Sequence, residues 1–177
     1  MPPSAAEAPS RDPAETEARR LLQALARRGW TAALAESCTG GMVSAALTSV
    51  PGASERFWGA VVSYANEAKR EVLSVPREVL ELRGAVSPET VRAMAQGVLA
   101  LSGADVSAAV SGIAGPGGGT PEKPVGTVWI GLAARGGRHR ELRLALTGDR
   151  NRIRRESTIR VLAELRSFVE EEVVGSS

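Results

Sequence analysis

Ser37, Cys38 and Thr39 stand in a row inside ALAESCTGGMVSAAL, residues 33–47, directly ahead of Gly40-Gly41 and an apolar pattern at helical spacing. An apolar run ending in small polar residues and glycine predicts a strand that turns sharply into a helix. Such a turn lifts side chains out of the sheet and leaves free backbone N–H groups beside them, a setting for a nucleophile and for an anion. The plainer reading gives Gly40 and Gly41 to close helix–sheet packing, Thr39 to a cap and Ser37 to filling a small space. A second stretch, SGIAGPGGGTPEKPVGT, residues 111–127, follows a strand end. It is neither a Walker loop nor a G-x-G-x-x-G fingerprint. Its prolines pre-set the chain, so glycines and prolines together predict a rigid concave backbone whose N–H groups can cradle an anion, and not a merely flexible connector. A third feature is basic: eight arginines fall between Arg135 and Arg155, against Glu141 and Asp149. Most of them read as solvated charge, but Arg150 and Arg154 are one helical turn apart, so one face can offer both to a phosphate.

These residues need elements to hold them. Ala18, Leu21, Leu22 and Leu25 repeat at helical spacing until Gly29, and TAALAE follows as a buried strand. Val43, Ala46, Leu47 and Val50 mark a helix stopped by Pro51-Gly52; FWGAVVSYA is a second apolar strand, and NEAKREVL a short helix. Ser87-Pro88 supplies an N-cap with proline at the first helical position, ahead of the stripe Val91, Met94, Ala95, Val98 and Leu101. DVSAAV is a third strand, and TVWIGLAARGGRHRELRLAL forms a hairpin about Gly136-Gly137. A last helix starts near Arg150 and turns Val161, Leu162, Leu165, Phe168 and Val169 inward. Strands alternating with helices, then a hairpin, predict a single α/β layered domain over residues 16–174, with a mixed β-sheet flanked by helices. Residues 1–15 are expected to be a disordered Pro/Ala/Ser-rich tail.

Composition narrows the function classes. A chain of 177 residues, 43% hydrophobic and 24% charged, suits one soluble domain with a full core. A net charge of +2 with 3% aromatic residues, and no helix-turn-helix, RRM or zinc pattern, argues against a specific nucleic-acid partner. One cysteine excludes an internal disulfide, and one cysteine with one histidine cannot build a zinc cluster, so no metal is expected. The N-terminus lacks the basic start and apolar core of a signal peptide, and no apolar run has membrane-spanning length; no membrane partner and a cytoplasmic location are expected.

AESCTGG, VVSYANEAKREVL, GAVSPETV, SGIAGPGGGTPEKPVGTVWIGL and TGDRNRIRRES, in this order and spacing, resemble the CinA C-terminal domain family over roughly residues 16–172. Stand-alone bacterial members are nicotinamide-nucleotide amidohydrolases of the PncC type. The resemblance implies hydrolysis of the carboxamide of nicotinamide mononucleotide to nicotinate mononucleotide and ammonia, with no cofactor, by a homodimer or larger homo-oligomer. It maps the nucleophile to Ser37 and an assisting pair to Tyr64 and Lys69, and GDR singles out Arg150. Thr39 and the N–H groups of Gly40 and Gly41 are then placed to cap the helix or hold the oxyanion. Ser111, Gly112, Gly115, Gly117 and Gly118 are expected to bind substrate with Arg150. Relatives commonly carry threonine where this chain has Ser111, which keeps the hydroxyl and loses the methyl.

The chemistry of the residue types agrees. Amide hydrolysis needs a nucleophile, a base, an acid for the leaving ammonia and donors for the oxyanion. The only histidine, His139, lies just past the hairpin turn, which does not suit a Ser-His-Asp triad and leaves a Ser-Lys arrangement. Tyr64 ends a strand and Lys69 lies five residues on, so both can face one end of the sheet. Lysine, more often an exposed charge, is a base only if burial or nearby positive charge lowers its pKa from about 10.4. Cys38 is the rival nucleophile; alternation along an extended segment turns it away from Ser37 and predicts a buried, inert thiol. Two other functions compete: a nucleic-acid-binding accessory domain using the arginine strip, and a catalytically silent nucleotide-sensing domain.

Overall fold

The computed structural model describes residues 12–171. Helix α1 (Pro13–Arg28) starts where the Asp12 carboxylate accepts a hydrogen bond from Ala14 N at 2.9 Å, with proline in the first turn, and ends at Gly29 with φ 68°. The expected tail boundary at residue 15 is therefore too late. Pro13, Ala14 and Glu15 are the helix's first turn, ahead of the apolar stripe that begins at Ala18. Residues 1–11 of the expected tail, and 172–174 of the expected domain, lie outside the described residues.

The sheet has the order β2-β1-β3-β4-β5. Strand β1 (Ala32–Glu36) pairs in parallel with β2 (Phe57–Val62) on one side and β3 (Val106–Gly112) on the other. Strand β4 (Thr127–Ala134) runs antiparallel to β3 and forms the expected hairpin with β5 (His139–Ala145). Because β1 is covered on both faces, its alternation sorts small residues between two cores: Ala32 and Leu34 meet α1, α2 (Met42–Thr48) and α6 (Arg150–Glu170), while Ala33 and Ala35 meet α3 (Asn66–Leu73), α4 (Arg77–Arg83) and α5 (Pro88–Ser102). The result is the expected α/β domain, a mixed sheet between two helical layers. Among the described residues no helix is long and apolar enough to cross a membrane.

Two departures from the sequence expectation bear on the site. Strand β2 stops at Val62, so Ser63, Tyr64 and Ala65 are free to curl as a loop before α3. Helix α4 was not expected, and the chain between it and α5 passes over the ends of the parallel strands. Gly97 then lets α5 press against the end of α3: a Cβ there would sit 2.0 Å from the Leu73 carbonyl oxygen. That contact fixes the helix that carries Lys69.

Candidate active site

The carboxyl ends of the three adjacent parallel strands converge on one cleft of about 180 Å³. Ser37 follows β1, Tyr64 follows β2 with Lys69 a turn into α3, and Ser111 and Gly112 end β3; Ala85 and Val86, between α4 and α5, close the apolar side. A larger hollow of about 610 Å³ between the start of α1, α2 and α6 shares no lining residue with it.

Lys69 is the centre of the site. It is only 1% exposed, and its Nζ donates to Ser37 Oγ at 3.1 Å, to the Ser63 carbonyl at 2.8 Å and to the Tyr64 carbonyl at 3.1 Å. No carboxylate pairs with it among the described residues. Burial therefore dominates and pushes its pKa below the usual lysine value, with the Cys38 thiol acting weakly the other way. This is the condition under which a lysine can take a proton from a hydroxyl.

The turn after β1 is built differently from the expectation. Helix α2 begins at Gly41, which has no capping side chain. The cap comes from Glu36, at the end of the strand and 1% exposed. Its carboxylate accepts from Gly41 N at 2.9 Å, Val43 N at 3.1 Å, Ser44 N at 2.8 Å and the Thr39 hydroxyl at 2.7 Å. A negative charge at the free N–H groups of a helix start is well placed electrostatically. Thr39 is fully buried, and its hydroxyl is spent on Glu36, so it neither caps the helix nor faces a substrate. The Gly41 amide is spent on the same carboxylate and the Gly40 amide on the Ser37 carbonyl, at 3.1 Å, so the expected oxyanion role of this pair does not fit the geometry. Sequence reasoning passed over Glu36, although a glycine pair that cannot cap its own helix was a signal that some other group must.

Arg150 stands at the mouth. Its Nη1 donates to the Gly115 carbonyl at 2.9 Å and its Nη2 to the Tyr64 hydroxyl at 3.2 Å, linking the glycine loop to the β2–α3 loop. Gly117 and Gly118 are exposed further along the loop and do not line the cleft. Arg154 turns the other way and donates to the carbonyls of Cys38 and Thr39, so it does not join Arg150 in a shared phosphate site. Elsewhere in the arginine strip the charges are largely met within the chain, as in Arg135 with Asp105, Arg140 with Glu171 and Arg152 with Glu156.

Cys38 also lines the cleft, so alternation does not hold it clear of Ser37. Burial does the separating: the residue is 6% exposed, and the lost solvation raises its pKa to about 11 from 9.0, against the smaller lowering from its own amide and from Arg154 and Lys69. A thiol so shifted holds about a hundredth of the thiolate of an unperturbed cysteine at pH 8. Labelling by a disulfide reagent at pH 8 is therefore expected to be at least about a hundredfold slower in the folded protein than in urea. Equal rates in the two states would show that Cys38 is a reactive thiol.

The family model for the CinA C-terminal domain matches residues 14–169. A "CinA-like protein" of Akkermansia muciniphila is 55% identical over 141 residues, covering 80% of this chain and 34% of that one. The "Nicotinamide-nucleotide amidohydrolase PncC" of Enterobacter agglomerans is 47% identical over 147 residues, covering 82% of this chain and 90% of that one. The chain thus spans about a third of the length of CinA-like relatives such as the first. Among solved structures, the competence/damage inducible protein CihA from Agrobacterium tumefaciens matches with a TM-score of 0.86 at 39% identity, over 90% of this chain and 96% of that chain.

Proposed function

Because the chain belongs to the CinA C-terminal domain family, we propose that it is a nicotinamide-nucleotide amidohydrolase, converting nicotinamide mononucleotide and water to nicotinate mononucleotide and ammonia. The observation that carries this reading is the buried Lys69, 3.1 Å from Ser37 Oγ and without a carboxylate partner among the described residues. As a neutral amine it has two N–H bonds for the Ser63 and Tyr64 carbonyls, and its lone pair is left for the serine proton. The PncC relative, at 47% identity over most of both chains, supports the choice of substrate.

Ser37 Oγ gives its proton to Lys69 as it bonds to the carboxamide carbon, and the carbonyl electron pair moves to oxygen. With the Gly40 and Gly41 amides engaged, the oxyanion falls to donors at the end of β3, where Ser111 and Gly112 line the cleft. Lys69 returns the proton to the amide nitrogen; the C–N bond breaks, ammonia leaves, and an ester remains on Ser37. Water, deprotonated by Lys69, cleaves that ester and restores the serine. The positive pyridinium ring disfavours a second cation beside it and so favours neutral Lys69 in the complex. Tyr64, whose hydroxyl bonds Arg150 and not Ser37, serves the substrate side. Release of ammonia from nicotinamide mononucleotide by the purified chain, without added metal, tests the reading; a folded protein that releases none overturns it.

A cleft of about 180 Å³ is smaller than the ~300 Å³ or more that encloses a drug-sized ligand. It can take the pyridine ring, leaving the ribose phosphate over the mouth, where Tyr64 is 62% exposed beside Arg150. An arginine–phosphate contact is worth about 1.5–3 kcal/mol, so Arg150→Ala is expected to lower kcat/KM on the mononucleotide by about tenfold to a hundredfold and to leave the riboside, which has no phosphate, nearly unchanged. Equal losses on both substrates would remove Arg150 from the phosphate site.

A further inference from the structure

The turn that presents Ser37 is held from two sides by charged groups with no part in the proton transfers. From within, the Glu36 carboxylate gathers the Thr39 hydroxyl and three amides of the helix start. From outside, Arg154 reaches across from α6: its Nε donates to the Cys38 carbonyl at 3.1 Å and its Nη2 to the Thr39 carbonyl at 2.9 Å. A guanidinium is a rigid planar fork, so it fixes two successive carbonyls together, as an ammonium cannot. Each peptide unit is planar and trans, so fixing a carbonyl also fixes the direction of the next N–H. The fork thereby sets the peptide planes on both sides of Thr39. The far end of the second plane, Gly40 N, donates back to the Ser37 carbonyl at 3.1 Å and closes the turn on the serine itself. Space is tight on this outer side: a Cβ on Gly40, whose φ is +60°, would lie 3.3 Å from Arg154 Nη2.

We propose that Arg154 is a positioning residue for Ser37, acting only through the turn, an inference that rests on Ser37 being the nucleophile. Its hydrogen-bonding edge is committed to two backbone carbonyls, on an element 116 residues away in sequence from Cys38. What it controls is the single 3.1 Å approach of Ser37 Oγ to Lys69 Nζ, and a misplacement of about 1 Å in such an approach costs about a hundredfold in rate.

The test combines kinetics with hydrogen exchange on Arg154→Ala and Arg154→Lys in the full chain. Arg154→Ala is expected to lower kcat about tenfold to a hundredfold while KM stays within about threefold. Arg154→Lys, which keeps the charge and loses the fork, recovers only part of that loss; added guanidinium ion raises the turnover of Arg154→Ala and not of the original protein. Amide exchange across residues 37–44 quickens in both variants. A loss carried wholly by KM makes Arg154 a phosphate ligand and overturns the proposal, as does an unchanged kcat. If Arg154→Ala does not fold, Arg154→Lys carries the same comparison. Should the original protein release no ammonia, the amidohydrolase reading fails by itself, and exchange decides the clamp: unchanged protection of 37–44 in the variants refutes it.

Discussion

Ser37→Ala is expected to lower ammonia release from nicotinamide mononucleotide by at least about a thousandfold, while Cys38→Ala keeps most of the activity. Removing the nucleophile of a covalent mechanism leaves only binding and oxyanion stabilisation, and residual rates of that kind sit several orders of magnitude below the intact enzyme. The fold has little at stake in the serine hydroxyl, which accepts a hydrogen bond from Lys69 Nζ. Cys38 differs on each point. Its thiol is raised to about 11 by burial, it belongs to the core beneath α2 and α6, and its contribution to the turn is a carbonyl that alanine retains. Trimming it costs about 1 kcal/mol of stability, the common value for a point change. A folded but inactive Cys38→Ala protein would transfer the nucleophile from serine to cysteine.

Lys69→Met is expected to lower kcat by at least about a hundredfold, the range that general acid–base catalysis supplies. Methionine keeps an unbranched stem at this buried position and removes the amine that lies 3.1 Å from Ser37 Oγ. The pH dependence gives a second readout. Burial puts the Lys69 pKa below its ordinary 10.5, and in the proposed mechanism the neutral amine is the active form. Activity in the original protein therefore rises as pH climbs through that lowered pKa and is lost as pH falls through it. The same shift affects stability: the folded chain binds the lysine proton less readily than the unfolded chain, so stability rises with pH between the lowered pKa and the unfolded value. Both slopes should vanish in Lys69→Met. An acid limb that persists unchanged in that variant would assign the base to another group.

Much of this molecule was written in local signals. Ser87-Pro88 opens a helix and Gly29 closes one, because capping chemistry lies within a few residues of the helix end, whereas Asp12-Pro13 opens α1 inside the stretch expected to be a disordered tail. The strands and the hairpin followed from apolar runs and from Gly136-Gly137. Helix α4 did not, since its seven residues between Pro76 and Gly84 bury only Leu80 and present no stripe. In the site, Ser37, Lys69, Tyr64 and Ser111 come together at one end of the sheet, while Thr39, Gly40 and Gly41 turn out to serve the turn itself. The hold of Glu36 and Arg154 on the turn, in place of the phosphate contact expected of Arg154, is hidden for a common reason. Their partners are backbone amides and carbonyls, which every residue carries, so no side-chain pattern names the partner; the glycine pair ahead of α2 signals only that some group must cap it.

The position of the fork along the chain also sets an order in time. Ser37, Lys69 and Ser111 are all translated before α6, whose Ile153, Val161, Leu162, Leu165 and Phe168 complete the core on one face of the sheet. Arg150 and Arg154 arrive with α6 and only then bridge to the Gly115 loop and to the turn at Cys38 and Thr39. A chain interrupted before Arg150 lacks both bridges and the whole of α6, leaving only Glu36 to hold the turn. On the proposed roles of Ser37 and Arg154, the last helix to be made is the one that secures the site.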